Sequence, residues 1–199
     1  MERGGAAKSE KVGRPIKRMI VGVLLSMGIA VAGPGANSAV EDAAISQYAL
    51  QAAYLFKFGA FVEWPASAFS APDSPLVLCI QGADPLGDGL EKSLEGKTIG
   101  ARPLTVRRVK APTREVGCHI FYIAAGDAKQ AHDALGVLRG SPVLTVTDTA
   151  AAGDQGEVIH FVISDNRVRF NIDDDAAAAG GLAISSRLLS LAVSVKTRK

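Results

Sequence analysis

Two cysteines, three histidines and one tryptophan are all that 199 residues contain of these types, and each scarcity closes off a class of chemistry. Cys79 and Cys118 stand apart with no CxxC motif and make a poor zinc site. His119 adjoins Cys118, but a ligand set built on that pair still wants further members; we expect no metal and no cofactor. Basic residues exceed acidic ones by only 22 to 20, and no cluster of Lys or Arg interleaved with aromatics occurs beyond the first residues, so nucleic-acid binding is not expected. The apolar run Met19–Ala32, broken only by Ser26, falls short of the roughly 20 residues that span a bilayer.

That run has the setting of a secretory leader. Arg3, Lys8, Lys11, Arg14, Lys17 and Arg18 precede it, and small residues follow at Ala30-Val31-Ala32 and Asn37-Ser38-Ala39. A basic start, an apolar centre and a small-residue exit predict a cleavable signal peptide over residues 1–39 and a mature domain over 40–199. An uncleaved anchor is the rival reading, and a start at Met19 would strip most of the basic region. Removing 1–39 takes six of the 22 basic and two of the 20 acidic residues, leaving 16 against 18 and a net charge of about −2. The basic balance therefore belongs to the leader. In an exported protein an isolated cysteine pair reads as one disulfide, Cys79–Cys118, against the alternative of two buried thiols.

The densest apolar and aromatic stretch of the mature part is Tyr48–Pro65, YALQAAYLFKFGAFVEWP. Helical spacing yields one row of Ile45, Ala49, Ala52 and Phe56 and a second of Leu50, Tyr54, Phe58 and Phe61. Two apolar rows call for cover on more than one side. We expect Ala49, Ala52 and Phe56 to face a sheet, and Tyr54, Phe58 and Phe61 to meet a second copy or a partner. Trp64-Pro65 ends the helix, because the residue before proline is pushed out of the α region.

Downstream, short apolar runs alternate with helical patterns. Leu76–Gln81, Pro103–Val109, Cys118–Ala124 and Val143–Thr147 read as strands, with helices expected over Pro85–Leu94 and from Gly126-Asp127 to Leu138. Glu157–Ile163 and Arg167–Ile172 flank Ser164-Asp165-Asn166 as a hairpin. A last helix, capped by Asp173–Asp175, carries Leu182, Leu188, Leu189, Leu191 and Val195, with a break or close backbone approach at Gly180-Gly181. This alternation predicts a single α/β domain: a largely parallel twisted sheet with helices packed on it, closed by a hairpin and a helix.

Ligands of parallel sheets bind beyond the strand carboxyl ends, here Gly82–Gly87, Ala124–Asp127 and Asp148–Gly156. Those loops contain no GxGxxG, Walker sequence or nucleophile elbow, and Asp84, Asp127 and Asp148 are accounted for as caps or turn residues. Nothing sets an acid and a nucleophile beside His119, His132 or His160. The expectation is a binding or regulatory protein rather than an enzyme, with no catalytic residue assigned.

In order along the chain, AAYLFKFGAFVEWP at Ala52–Pro65, LCIQGADPLG at Leu78–Gly87, RPLTVRRV at Arg102–Val109 and CHIFYI at Cys118–Ile123 resemble the YfiR-like family of periplasmic regulators. LTVTD at Leu144–Asp148, VRFNID at Val168–Asp173 and GLAISSRLLSLA at Gly181–Ala192 extend the resemblance over nearly the whole mature part. It implies a small, often dimeric, non-enzymatic α/β domain in the periplasm. Such a domain binds and represses the periplasmic part of an inner-membrane diguanylate cyclase and so lowers cyclic-di-GMP signalling. It also implies redox sensitivity, with Cys79 and Cys118 matching one bridge; a second cysteine pair is absent here. A small-molecule binder or sensor acting on another membrane signalling protein is the alternative expectation.

Overall fold

The alanine-rich, aromatic stretch forms helix α1 (Gly35–Phe61) in a computed structural model that describes residues 35–82, 84, 86–87, 89–115, 117–124, 126, 128–148 and 155–197. Most of the expected leader therefore lies outside the described residues, as do Asp127 and residues 149–154. From Gln51 onward the stripe turned to the core is Gln51, Leu55, Phe58 and Val62, at spacings of four, three and four. The chain becomes extended at β1 (Val62–Glu63), ahead of Trp64-Pro65, and passes through a short 3-10 turn, Ala66–Ala68.

The sheet follows: β2 (Leu76–Gln81), α2 (Gly89–Leu94), β3 (Thr98–Ile99), β4 (Arg102–Val109), β5 (Ile120–Ile123), α3 (Ala128–Leu138) and β6 (Leu144–Thr147). Then come β7 (Ile159–Ser164), β8 (Arg167–Asp173), α4 (Asp174–Ala179), β9 (Ala183–Ile184), α5 (Ser186–Leu189) and β10 (Val195–Lys196). The eight-stranded sheet runs in the order β10-β8-β7-β6-β5-β2-β4-β3. Strands β4, β2, β5, β6 and β7 are parallel, as expected; β3 and β8 add antiparallel neighbours at either side. Among the parallel strands the path starts at β2, steps out to β4, then reverses to β5, which makes the β2–β5 boundary the topological switch point.

Both faces of the central strands are buried, which explains their unbroken apolar runs. Leu78, Ile80, Ile120, Tyr122, Leu144 and Val146 pack with Leu55 and Phe58 of α1. Val77, Cys79, Phe121 and Ile123 pack with Ala131, Ala134, Leu135 and Leu138 of α3. The β7–β8 hairpin turns through Asp165 and Asn166, both at positive φ (51° and 57°), the two-residue turn whose twist suits antiparallel strands.

Two expectations are corrected. The helix expected over Pro85–Leu94 begins only at Gly89, and Asp84 shapes the turn before it, its Oδ1 accepting from the N–H groups of Leu86 and Gly87. The single C-terminal helix is instead α4, β9, α5 and β10. Asp173 caps α4 by accepting from Ala176 N–H at 2.8 Å, as expected of that acidic run. The break falls at Gly180-Gly181 because a Cβ on Gly180 would collide with the Ser141 carbonyl oxygen and Gly181 has φ +73°. The freed chain then pairs β9 with β1, Val62 opposite Ile184, and Ser185 caps α5 through Leu188 N–H.

Gly180→Ala forces a methyl group against the Ser141 carbonyl oxygen and is expected to destabilise the fold by about 1–3 kcal/mol in denaturant titration. Gly136→Ala, in α3 with open space at its Cβ position, is expected to stabilise by about 0.5–1 kcal/mol. Equal effects of the two substitutions would contradict this packing.

Candidate functional site

At the carboxyl end of the sheet, the strand that opens the switch point is tied to its outer neighbour by one arginine. Arg108 of β4 donates from Nε to Asp84 Oδ2 at 2.7 Å, from Nη1 to Glu91 and from Nη2 to the Gly87 carbonyl at 3.1 Å. The Arg108 hydrogen bond lowers the Glu91 pKa. Asp84 thus has two tasks, its Oδ1 shaping the turn and its Oδ2 holding Arg108.

Across the boundary, Tyr122 of β5 projects its hydroxyl between α1 and the end of β6. The hydroxyl lies 2.6 Å from Asp148 Oδ2 and 3.3 Å from Gln51 Oε1. With a single proton to give, it donates to the carboxylate, the shorter and charge-assisted contact. Burial, then the adjacent Asp148 charge, raise the Tyr122 pKa, so the phenol is a fixed neutral donor. Gln81, at the end of β2 and facing α3, donates from Nε2 to the Lys110 carbonyl at 3.2 Å.

The three histidines are dispersed. His132 is exposed on α3. His160 has Nδ1 2.8 Å from Thr147 Oγ1 and 3.5 Å from Glu157 Oε1, on β7. His119 sits buried at the entry to β5, at the other end of that strand from the Tyr122 hydroxyl. Its Nδ1 accepts from Val77 N–H at 3.1 Å, its Nε2–H donates to the Ala68 carbonyl at 3.0 Å, and its ring stacks on Phe69 at 4.3 Å. Arg102 lies over the far face of Phe69, 3.4 Å from the ring centroid. The Trp64 indole donates to the His119 carbonyl at 3.2 Å. Both imidazole nitrogens are thereby committed to backbone groups.

Cys79 and Cys118 form a disulfide on the α3 face, with Cα atoms 5.8 Å apart. It joins the middle of β2 to the segment entering β5, so it cross-links the two strands of the switch point. Closing a separation of 39 residues stabilises the fold by about 4 kcal/mol in the chain-entropy model.

The aromatic row of α1 is divided. Phe58 does not face outward: it is fully buried, its ring 5.1 Å from Phe170 and 5.7 Å from Phe161. Tyr54 is half-buried and packs on Phe58 and Phe170, and Phe61 is half-buried at the helix end. Ala49, expected toward the sheet, is exposed, while Ala52 and Phe56 are half-buried. The polar members of the site, Gln51, Gln81, Tyr122 and Arg108, were passed over in the sequence. For Gln51 and Gln81 the signal was a glutamine inside an apolar run, once in a helix and once in a strand; Tyr122 and Arg108 carried none.

Two outcomes follow. Burial is the main reason the His119 pKa is lowered, with Arg102 adding to it. The unfolded chain therefore binds a proton near pH 6.5 that the folded chain refuses. Stability from this residue is full above pH 6.5 and declines as pH falls toward the depressed folded value. His119→Gln is expected to unfold more easily at neutral pH and to show a shallower fall of Tm between neutral and mildly acidic pH; an identical slope would contradict the assignment. Because both sulfurs are buried, reductant alone is expected to leave the bridge intact, and reduction in denaturant to give a refolded protein of clearly lower Tm.

Among the described residues no helix is long and apolar enough to cross a membrane. A family model described as YfiR/HmsC-like matches residues 48–193, from the aromatic half of α1 to the segment before β10. It thus takes in the switch point, the disulfide and the hairpin together. With well over half its length matched in this way, the chain belongs to the YfiR/HmsC-like family.

Proposed function

We propose that this protein is exported through a leader spanning residues 1–39 and works in the periplasm as a non-enzymatic, dimeric regulator. It binds the periplasmic domain of an inner-membrane diguanylate cyclase and represses it, lowering cyclic-di-GMP output. Family membership over residues 48–193 carries the reading. The buried Cys79–Cys118 bridge supports it, since such bridges persist in oxidising compartments.

Repression needs no chemistry from the regulator. It needs differential affinity for two states of the partner. Moving a partner from almost wholly active to almost wholly inactive takes a preference of about 5.5 kcal/mol for the inactive state.

For the contact surface we propose the outward side of α1. Leu50 is 44 % exposed there, in line with exposed Ala53 and Ala60, and the half-buried Tyr54 and Phe61 border this strip. Phe58 contributes from beneath by setting the height of the helix on the sheet. Leu50→Glu adds charge at a solvated position and is expected to keep the parental Tm while weakening recovery of the cyclase from membranes and raising cyclic-di-GMP. Phe58→Glu is expected to unfold the protein. Full association by a folded Leu50→Glu variant would remove α1 from the interface; failure of the parent protein to recover any membrane cyclase under oxidising conditions would defeat the proposed function.

A further inference from the structure

On the face of the sheet opposite α1, between α3 and the segment leaving β4, lies a cavity of about 560 Å³. That volume falls in the range that accommodates small organic ligands, and the position, at the carboxyl end of β2 beside the switch point, is where parallel sheets take them. Gln81 lines it from the strand, Lys110 and Pro112 from the segment after β4, and Lys129 and Val137 from α3.

Gln81 is the informative residue. It follows Val77 and Cys79 on the α3-facing side of β2, a register in which the pattern asks for an apolar side chain. Instead an amide is buried to 2 % exposure. Its Nε2 is occupied by the Lys110 carbonyl, and Oε1 is buried with no hydrogen-bond partner. A buried acceptor left without a donor is costly, whereas a leucine of similar size would carry no such penalty. A ligand donor supplies what the amide lacks.

The cavity's rim carries two lysines, Lys110 and Lys129, and one carboxylate, Asp133. Lys110 is exposed and has no ion-pair partner among the described residues. Lys129 pairs with Asp133 at 2.6 Å, and because both side chains are largely exposed that pair is weak. Pro112, Ala134 and Val137 supply apolar wall between the lysines and the amide.

We propose that this cavity binds a small aromatic hydroxy acid. The carboxylate lies with Lys110 and Lys129, the ring against Pro112 and Val137, and the hydroxyl donates to Gln81 Oε1. The site is on the α3 face and the surface proposed for the cyclase is on α1, so either assignment can fail without the other.

The test is calorimetric titration of the oxidised exported protein with 4-hydroxybenzoate. Benzoate, which lacks the hydroxyl, and 4-hydroxybenzyl alcohol, which lacks the carboxylate, serve as the comparison ligands. Saturable binding of 4-hydroxybenzoate is expected, about tenfold tighter than either comparison ligand. Gln81→Leu is expected to abolish the preference over benzoate. Lys110→Ala, at an exposed position that leaves folding intact, is expected to weaken both acids and leave the alcohol unchanged. Absence of saturable binding at millimolar 4-hydroxybenzoate overturns the proposal. So does an affinity that neither substitution changes.

Discussion

Phe58 sits where the two halves of this sheet meet their common cover. The parallel strands β2, β5 and β6 present Leu78, Ile120 and Leu144 to α1, while the β7–β8 hairpin presents Phe161 and Phe170. Phe58 touches both hairpin rings, and Tyr54, one turn earlier, touches them from the side. Burying one such phenylalanine is worth about 1.5–3 kcal/mol, and each aromatic pair about 0.5–1.5 kcal/mol beyond that. Gly59 lets the helix lie close, since a side chain there would meet Ile99 of β3. One helix therefore spans from the β3 edge to the hairpin, and its height over the sheet sets the space left for everything at the carboxyl end.

At the carboxyl end of the sheet the α1 face and the α3 face differ. Beneath α1 the Tyr122 hydroxyl donates to Asp148 and lies 3.3 Å from Gln51 Oε1, so three side chains from distant parts of the chain meet there. Arg108 closes the loop after β2 against α2. On the α3 side Gln81 has half its amide satisfied and a cavity beside it. The disulfide lies on this same side, two residues before Gln81 along β2, and holds the two strands whose separation defines the switch point. Rigidity and an available site thus occupy the same face.

Much of the architecture was legible in the sequence, for identifiable reasons. LVLCIQ, CHIFYI and LTVT are apolar runs of strand length because parallel strands are buried on both faces. Asp165-Asn166 announced the hairpin because these residues tolerate positive φ. Gly180-Gly181 announced a break, and the structure supplies the reason in the Ser141 carbonyl. The outward face of α1 was not legible. When nearly the whole circumference of a helix is apolar, periodicity no longer says which side the sheet takes. The two apolar rows read from the spacing set Phe58 on the outward one, whereas the buried stripe runs through Gln51, Leu55, Phe58 and Val62. The short strands β1 and β9 were invisible as well, since two residues carry no pattern and their pairing joins segments far apart in the chain.

By itself the amino-acid sequence determined the α/β class, the parallel centre, the hairpin, the one cysteine pairing available and the family. These rest on local patterns, on order along the chain and on a cysteine count that permits a single pairing. Tertiary structure alone decided which α1 residues remain reachable, how the C-terminal segment breaks up, and that Gln81 lies buried beside a cavity with one acceptor unmet. Those depend on which surfaces compete for the same helix face and on groups brought together from distant positions. No local pattern records either of these.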